Sequence, residues 1–153
     1  MAQLELDELF YNALTADDDL MTAVGGRIES TCFEVSPEGE DNTPLPCIII
    51  MDDGFQGASD TKDDSWDSEE DIVQASIEVD GGDPKEVKKL IRMVRKAIAS
   101  YIAILEAQAM ETPYLAAPPA TNGVAWDWMK PCFHSAITYR CYVRNDLYDN
   151  GNN

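Results

Sequence analysis

The chain has 153 residues, 11 Lys and Arg against 29 Asp and Glu, and a formal net charge of −18. That length lies within the range of about 100–200 residues usual for one domain, and 44% hydrophobic with 26% charged residues argues against wholesale disorder. No apolar run approaches the roughly 20 residues needed to cross a bilayer, and the acidity opposes tight binding of nucleic acid or anionic lipid by the surface as a whole.

Met1 to Phe10 carries three acids and no Lys or Arg, the reverse of a signal or transit peptide, so the expectation is a soluble product of the cytoplasm. Leu6, Leu9, Phe10, Ala13 and Leu14 then recur at helical spacing and predict an opening helix of about three turns. Thr15 and Asp18 have the spacing of a capping box for a short second helix from about Ala16 to Val24. Gly25-Gly26 stops that helix, because glycine takes the left-handed C-cap at little cost. Arg27 to Phe33 reads as a short extended segment with Ile28 and Cys32 on one side.

A Pro- and Gly-bearing loop runs from Ser36 to Pro46, and the apolar run Cys47 to Met51 predicts a buried strand. Gly54 to Asp71 is acid-rich with no apolar period and reads as an exposed, mobile loop. Val73, Ala75, Ile77 and Val79 alternate with polar residues, a half-buried strand that would make the acidic loop the tip of a long hairpin. Asp83 as cap and Pro84 at the first position open a long helix over about 84–107. Its apolar side carries Val87, Leu90, Ile91, Val94, Ile98, Tyr101 and Leu105, and its opposite side carries Lys85, Lys88, Lys89, Arg92 and Lys96. Residues 110–134 form an aromatic loop with Tyr114, Trp126, Trp128 and Phe133, of which the last three are expected to cover one end of the core. Alternation through Ile137, Tyr139, Cys141 and Val143 predicts the last strand.

The order predicts a single α+β domain over 1–145, a mostly antiparallel sheet of about four strands packed against an N-terminal helix and the long helix. Residues 146–153 read as a disordered tail.

Charge is distributed unevenly. Residues 1–83 carry a net −21 with only Arg27 and Lys62 as bases, and residues 84–153 carry +3. Cations crowded on one helix face repel by a few tenths of a kcal/mol per pair, and a facing acidic surface relieves that cost. The five cations are therefore candidate subunit-interface residues. Phe55 and Trp66, set among acids that include Asp63 and Asp64, are candidate partner-binding residues, since an aromatic anchor in a polar rim is the composition of a binding hot spot.

The chemical inventory is sparse. Four cysteines, Cys32, Cys47, Cys132 and Cys141, are too few for a disulfide scaffold and read as reduced structural thiols. Cys132 and His134 lack a second pair at metal-site spacing, and Asp52-Asp53 and Asp63-Asp64 lack the ordered frame of a calcium loop. Adjacent His134 and Ser135 on a strand point to opposite faces, so a nucleophile would have to come from elsewhere. No phosphate-cradling glycine loop is present. The expectation is a protein that is not an enzyme and has no cofactor.

The stretch Leu9 to Ile28, followed by Pro44-Leu45-Pro46 into the apolar run at 47–50, resembles the N-terminal half of the phage tail terminator family. These are tail-completion or head–tail joining proteins of long-tailed phages. Leu20, Val24, Gly25, Gly26, Arg27 and Ile28 occupy the turn of that pattern, and the likeness extends over most of residues 4–144. The resemblance implies a homo-oligomeric ring, commonly a hexamer, on the head-proximal end of the tail tube in the virion, assembled in the host cytoplasm. Its implied partners are other copies of itself, the tail tube protein and the head connector or neck protein. DNA would only pass through the lumen, and no membrane is involved. The competing reading is an acidic DNA-mimic inhibitor of a nucleic-acid-binding enzyme, against which the basic stripe argues. A more distant one is an acid-rich hydrolase.

Overall fold

Three helices lie on one face of a seven-stranded sheet in the computed structural model, which describes residues 5–30, 44–57, 70–129 and 131–144. The elements in chain order are α1 (Leu6–Thr15), α2 (Asp18–Ala23), β1 (Ile28–Ser30), β2 (Cys47–Gly57), β3 (Glu70–Gly81), α3 (Pro84–Ala107), β4 (Tyr114–Leu115), β5 (Ala120–Thr121), β6 (Ala125–Asp127) and β7 (Cys132–Arg144). The fold is α+β with a mostly antiparallel sheet, as the sequence predicts. Strand order is β1-β2-β3-β7-β4, with β5 and β6 also paired to β7.

The sheet departs from the four-strand expectation in two ways. Three pieces of two or three residues, β4, β5 and β6, pair along the outer edge of β7, so 110–134 is no plain loop. The β1–β2 pair is parallel, with Ile28 opposite Ile48.

The α2 cap also differs from the expected one. The Asp17 carboxylate accepts from the Leu20 amide at 2.9 Å, while the Thr15 hydroxyl donates back to the Tyr11 carbonyl at 2.8 Å. Thr15 is still inside α1, so its side chain serves its own helix. The α3 start follows the sequence signal. Asp83 accepts from the Lys85 amide at 2.7 Å, and Glu86 reaches back to the Gly82 amide at 3.1 Å.

The core sits between the sheet and the helices. Ile50, Ile77 and Ile137 stand side by side across β2, β3 and β7, all essentially inaccessible to solvent. Over them lie Phe10 and Leu14 of α1 and Val87, Leu90 and Val94 of α3. Tyr139, two residues further along β7 and opposite Ala75, meets the Phe10 ring at 4.8 Å between centroids. Burial pushes the Tyr139 hydroxyl up to about 12, with the Arg95 charge opposing, and burial pushes the Cys141 thiol up to about 11. Both groups therefore hold their protons more tightly folded than unfolded, where 10.0 and 9.0 are the ordinary values. Stability present below about pH 9 is lost as pH rises through the folded values. Urea midpoints should fall between pH 8 and about pH 10.5, and Cys141→Ala should fall less; equal midpoints at the two pH values would contradict this.

The opposite face of the sheet is drier than strand alternation predicts. Ser76 and Asp80 point away from the helices yet are buried. Ser76 donates to the Asp53 carboxylate and shares a hydrogen bond with Thr138 at 3.1 Å, a polar chain across β2, β3 and β7.

Candidate functional site

The Gly-Gly-Arg-Ile turn and the Pro-Leu-Pro segment, sixteen or more positions apart in sequence, form one joint in the fold. Gly25 and Gly26 take φ of 60° and 75°, which ends α2 and turns the chain back. A Cβ on Gly25 would stand 2.6 Å from Arg27 Nη1, so a side chain there would push the guanidinium aside, and the positive φ itself favours glycine. Arg27 Nε donates to the Pro46 carbonyl at 2.9 Å, and the Ile48 amide donates to the Arg27 carbonyl at 2.9 Å. The Leu45–Pro46 bond is cis. The joint locks β1 beside β2 and so sets the start of the sheet.

Lys85, Lys88, Lys89, Arg92 and Lys96 are all solvent-exposed on the outer side of α3, and no ion pair joins them to a described carboxylate. The fold divides the stripe into two flanks. Lys88 and Arg92, with Arg95, form one wall of a groove of about 360 Å³. Ser135 and Ile137 of β7 make its floor, and Thr121 and Val124 make the other wall. Lys85, Lys89 and Lys96 lie outside that groove. Arg95 escaped the sequence reading, although it follows Arg92 by three and Lys88 by seven, spacings that share a helix face.

The partner-binding candidates are not gathered with those cations. Phe55 belongs to β2, not to a loop: it pairs with Val73 just past a bulge between Asp52 and Phe55, and is 73% exposed. The strand ladder carries on through Gly57 and Asp71, which narrows the expected 54–71 loop. Trp66, Asp63 and Asp64 lie outside the described residues, as do Cys32 and the proposed tail at 146–153. Described acids do cluster at the start of α1. Burial raises the Glu5 pKa, and the neighbouring charges of Asp7, Asp52 and Glu8 raise it further.

The aromatic loop covers the core only in part. Trp126 packs against Phe133 at 4.8 Å between centroids, but Trp128 sits at the edge of Trp126 and is 86% exposed. Trp128 therefore does not close the core as expected; the turn after β6 carries it outward, next to the equally open Met129. Tyr114 and Leu115 of β4 are also exposed.

The histidine lies in a row that mixes reactive residue types without making a reactive pair. Cys47, Asp80 and His134 stand opposite one another across β2, β3 and β7, and Cys47 Sγ donates to Asp80 Oδ2 at 3.9 Å. The thiol and the imidazole are thus two strand spacings apart, about 10 Å, with the carboxylate between them, and Cys47 and Asp80 are buried. This order cannot pass a proton from the thiol to the imidazole directly. Among the described residues, Cys47, Cys132 and Cys141 are buried thiols not joined in disulfides, and no group of three or more metal-ligating side chains is gathered. Among the same residues no helix is long and apolar enough to cross a membrane.

The architecture is thus an α+β domain whose distinctive surfaces are a cationic helix face and a set of exposed aromatics. The sequence matches no protein-family model and no curated protein sequence. Among solved structures the chain is similar to the gp17 protein of bacteriophage SPP1, with 19% identity and a TM-score of 0.51 over 90% of this chain and 88% of that one. That likeness spans nearly the whole of both chains and shows a shared fold.

Proposed function

We propose that the protein is a structural component of a long-tailed phage. In this reading it forms a ring, a hexamer, at the head-proximal end of the tail tube. There it stops polymerisation of the tube protein and offers the joining surface to the head connector, with DNA passing through the lumen. The sharing of fold with a bacteriophage protein supports a phage role, and the Gly25-to-Ile28 joint with Pro44-Leu45-Pro46 supports the terminator resemblance. The role asks for no catalysis.

The observation that carries the assembly reading is the exposed cationic face of α3, paired with no described carboxylate, on a chain of net charge −18. A closed ring joins one surface of each copy to a different surface of the next. A basic face against an acidic one gives that contact direction and register. Each exposed pair contributes about 0.2–1 kcal/mol and is screened by salt. Reversing Lys88, Lys89 and Arg92 to Glu should weaken self-association about tenfold or more at low salt, measured by light scattering, with an unchanged circular dichroism spectrum. Ring formation equal to that of the parent chain would overturn the assignment of this face.

A further inference from the structure

We infer that the groove between α3 and β7 is the seat for the acidic segment Asp63–Glu69 of a second copy of this chain, an inference that rests on the ring reading. The groove has a composition to match. Lys88, Arg92 and Arg95 supply three cations along one wall, while Ile91 beside them, Val124 on the facing wall and Ile137 on the floor supply an apolar lining. The segment Asp63-Asp64-Ser65-Trp66-Asp67-Ser68-Glu69 carries one large aromatic between two pairs of carboxylates. Such a strip places the indole on the apolar lining, within reach of an arginine for cation–π contact, and leaves carboxylates on both sides for the cations. Arginine suits the task better than lysine, since its planar group both stacks and binds carboxylate in two-pronged fashion.

Chain geometry selects a second copy over the chain's own segment. Glu70 pairs with Arg144, which lies seven residues beyond Ile137 and nine beyond Ser135 on β7. At about 3.3 Å per residue the groove is roughly 23–30 Å from that point. Trp66 precedes Glu70 by four residues, and four residues span at most about 14 Å when fully extended. Even the added length of an indole leaves Trp66 short of its own groove. The contact therefore joins the Asp63–Glu69 segment of one copy to the α3 flank of the next. That is a head-to-tail arrangement, which closes into a ring when the rotation between copies permits.

The test is a cross-link in the full-length chain. Ser65→Cys keeps Trp66 in place, and Thr121→Cys puts a thiol on the exposed wall of the groove. The double variant, oxidised under native conditions, should give a ladder of disulfide-linked dimers, trimers and larger species, absent from each single variant. A bond formed only within one chain would overturn the inference. A ring that forms by light scattering but yields no ladder would also overturn it, while leaving the ring reading intact. Absence of both ladder and ring at millimolar protein would remove the two together. A pair of charge reversals adds an independent readout. Lys88→Glu with Arg92→Glu and Arg95→Glu should weaken association about tenfold or more, whereas Lys85→Glu with Lys89→Glu and Lys96→Glu should change it less than threefold. The opposite ranking would place the contact on the other flank and overturn the groove assignment.

Discussion

Replacing Phe10 by Ala is expected to destabilise the chain by about 3–5 kcal/mol, the cost usual for emptying a buried aromatic site. Phe10 is 2% exposed, lies at the centre of the α1 stripe and touches the Tyr139 ring. It therefore joins the first helix to the last strand, two elements more than a hundred residues apart in sequence. Its removal leaves a hole bounded by α1, the sheet and Tyr139, and rigid strands on one side limit how far the hole can collapse. A domain of this size has about 5–15 kcal/mol in total, so the variant should unfold at a much lower urea concentration with a similar slope. Phe55→Ala is the matching control. That side chain is mostly in solvent, so its loss should stay within about 0.5 kcal/mol. Equal effects of the two substitutions would show that α1 does not pack on the sheet as described.

Replacing residues 58–69 with Asn-Gly is expected to separate folding from function. The β2–β3 ladder runs out to the Gly57–Asp71 pair, so a short turn can close it where the pairing ends. Shortening the connection lowers its closure entropy, a gain of about 1 kcal/mol, and the thermal midpoint should hold or rise slightly. The same change deletes Trp66 together with Asp63, Asp64, Asp67 and Glu69. Under the proposed role, a phage supplied only with this variant should yield tails of uncontrolled length or tails unjoined to heads. Light scattering on the purified variant should show no ring. Normal tails and normal joining would remove the segment from the mechanism, whereas loss of the folded circular dichroism signal would contradict the hairpin closure itself.

The amino-acid order determined those features whose signals are local. Asp83 and Pro84 mark the first turn of α3, and its apolar spacing fixes which side meets the sheet; the structure puts Val87, Leu90, Val94 and Ile98 in the core and leaves the five cations outside. Gly25-Gly26 ends α2, and the runs at 47–51 and 73–79 form the first half of β2 and the centre of β3. Each of these signals works within one or two turns or along one strand, which is why it can be read without knowing the neighbours.

Tertiary structure decided the rest. The ladder between β2 and β3 extends past the apolar runs into Asp52–Gly57 and Glu70–Asp71, because backbone hydrogen bonds propagate between paired strands whatever the side chains are. The same backbone pairing turns 114–127 into three edge pieces on β7 and sets β1 parallel to β2. Burial of Asp80 and Ser76 on the outer face depends on what stands across from them, namely Cys47 and His134 for the first and Met51 and Thr138 for the second. The Ser76 hydroxyl also reaches Asp53 in the β2 bulge. The division of the cationic stripe is likewise non-local. Helical spacing puts Lys88, Arg92 and Arg95 on one flank, but only the course of β5 and β7 alongside α3 turns that flank into the wall of a groove.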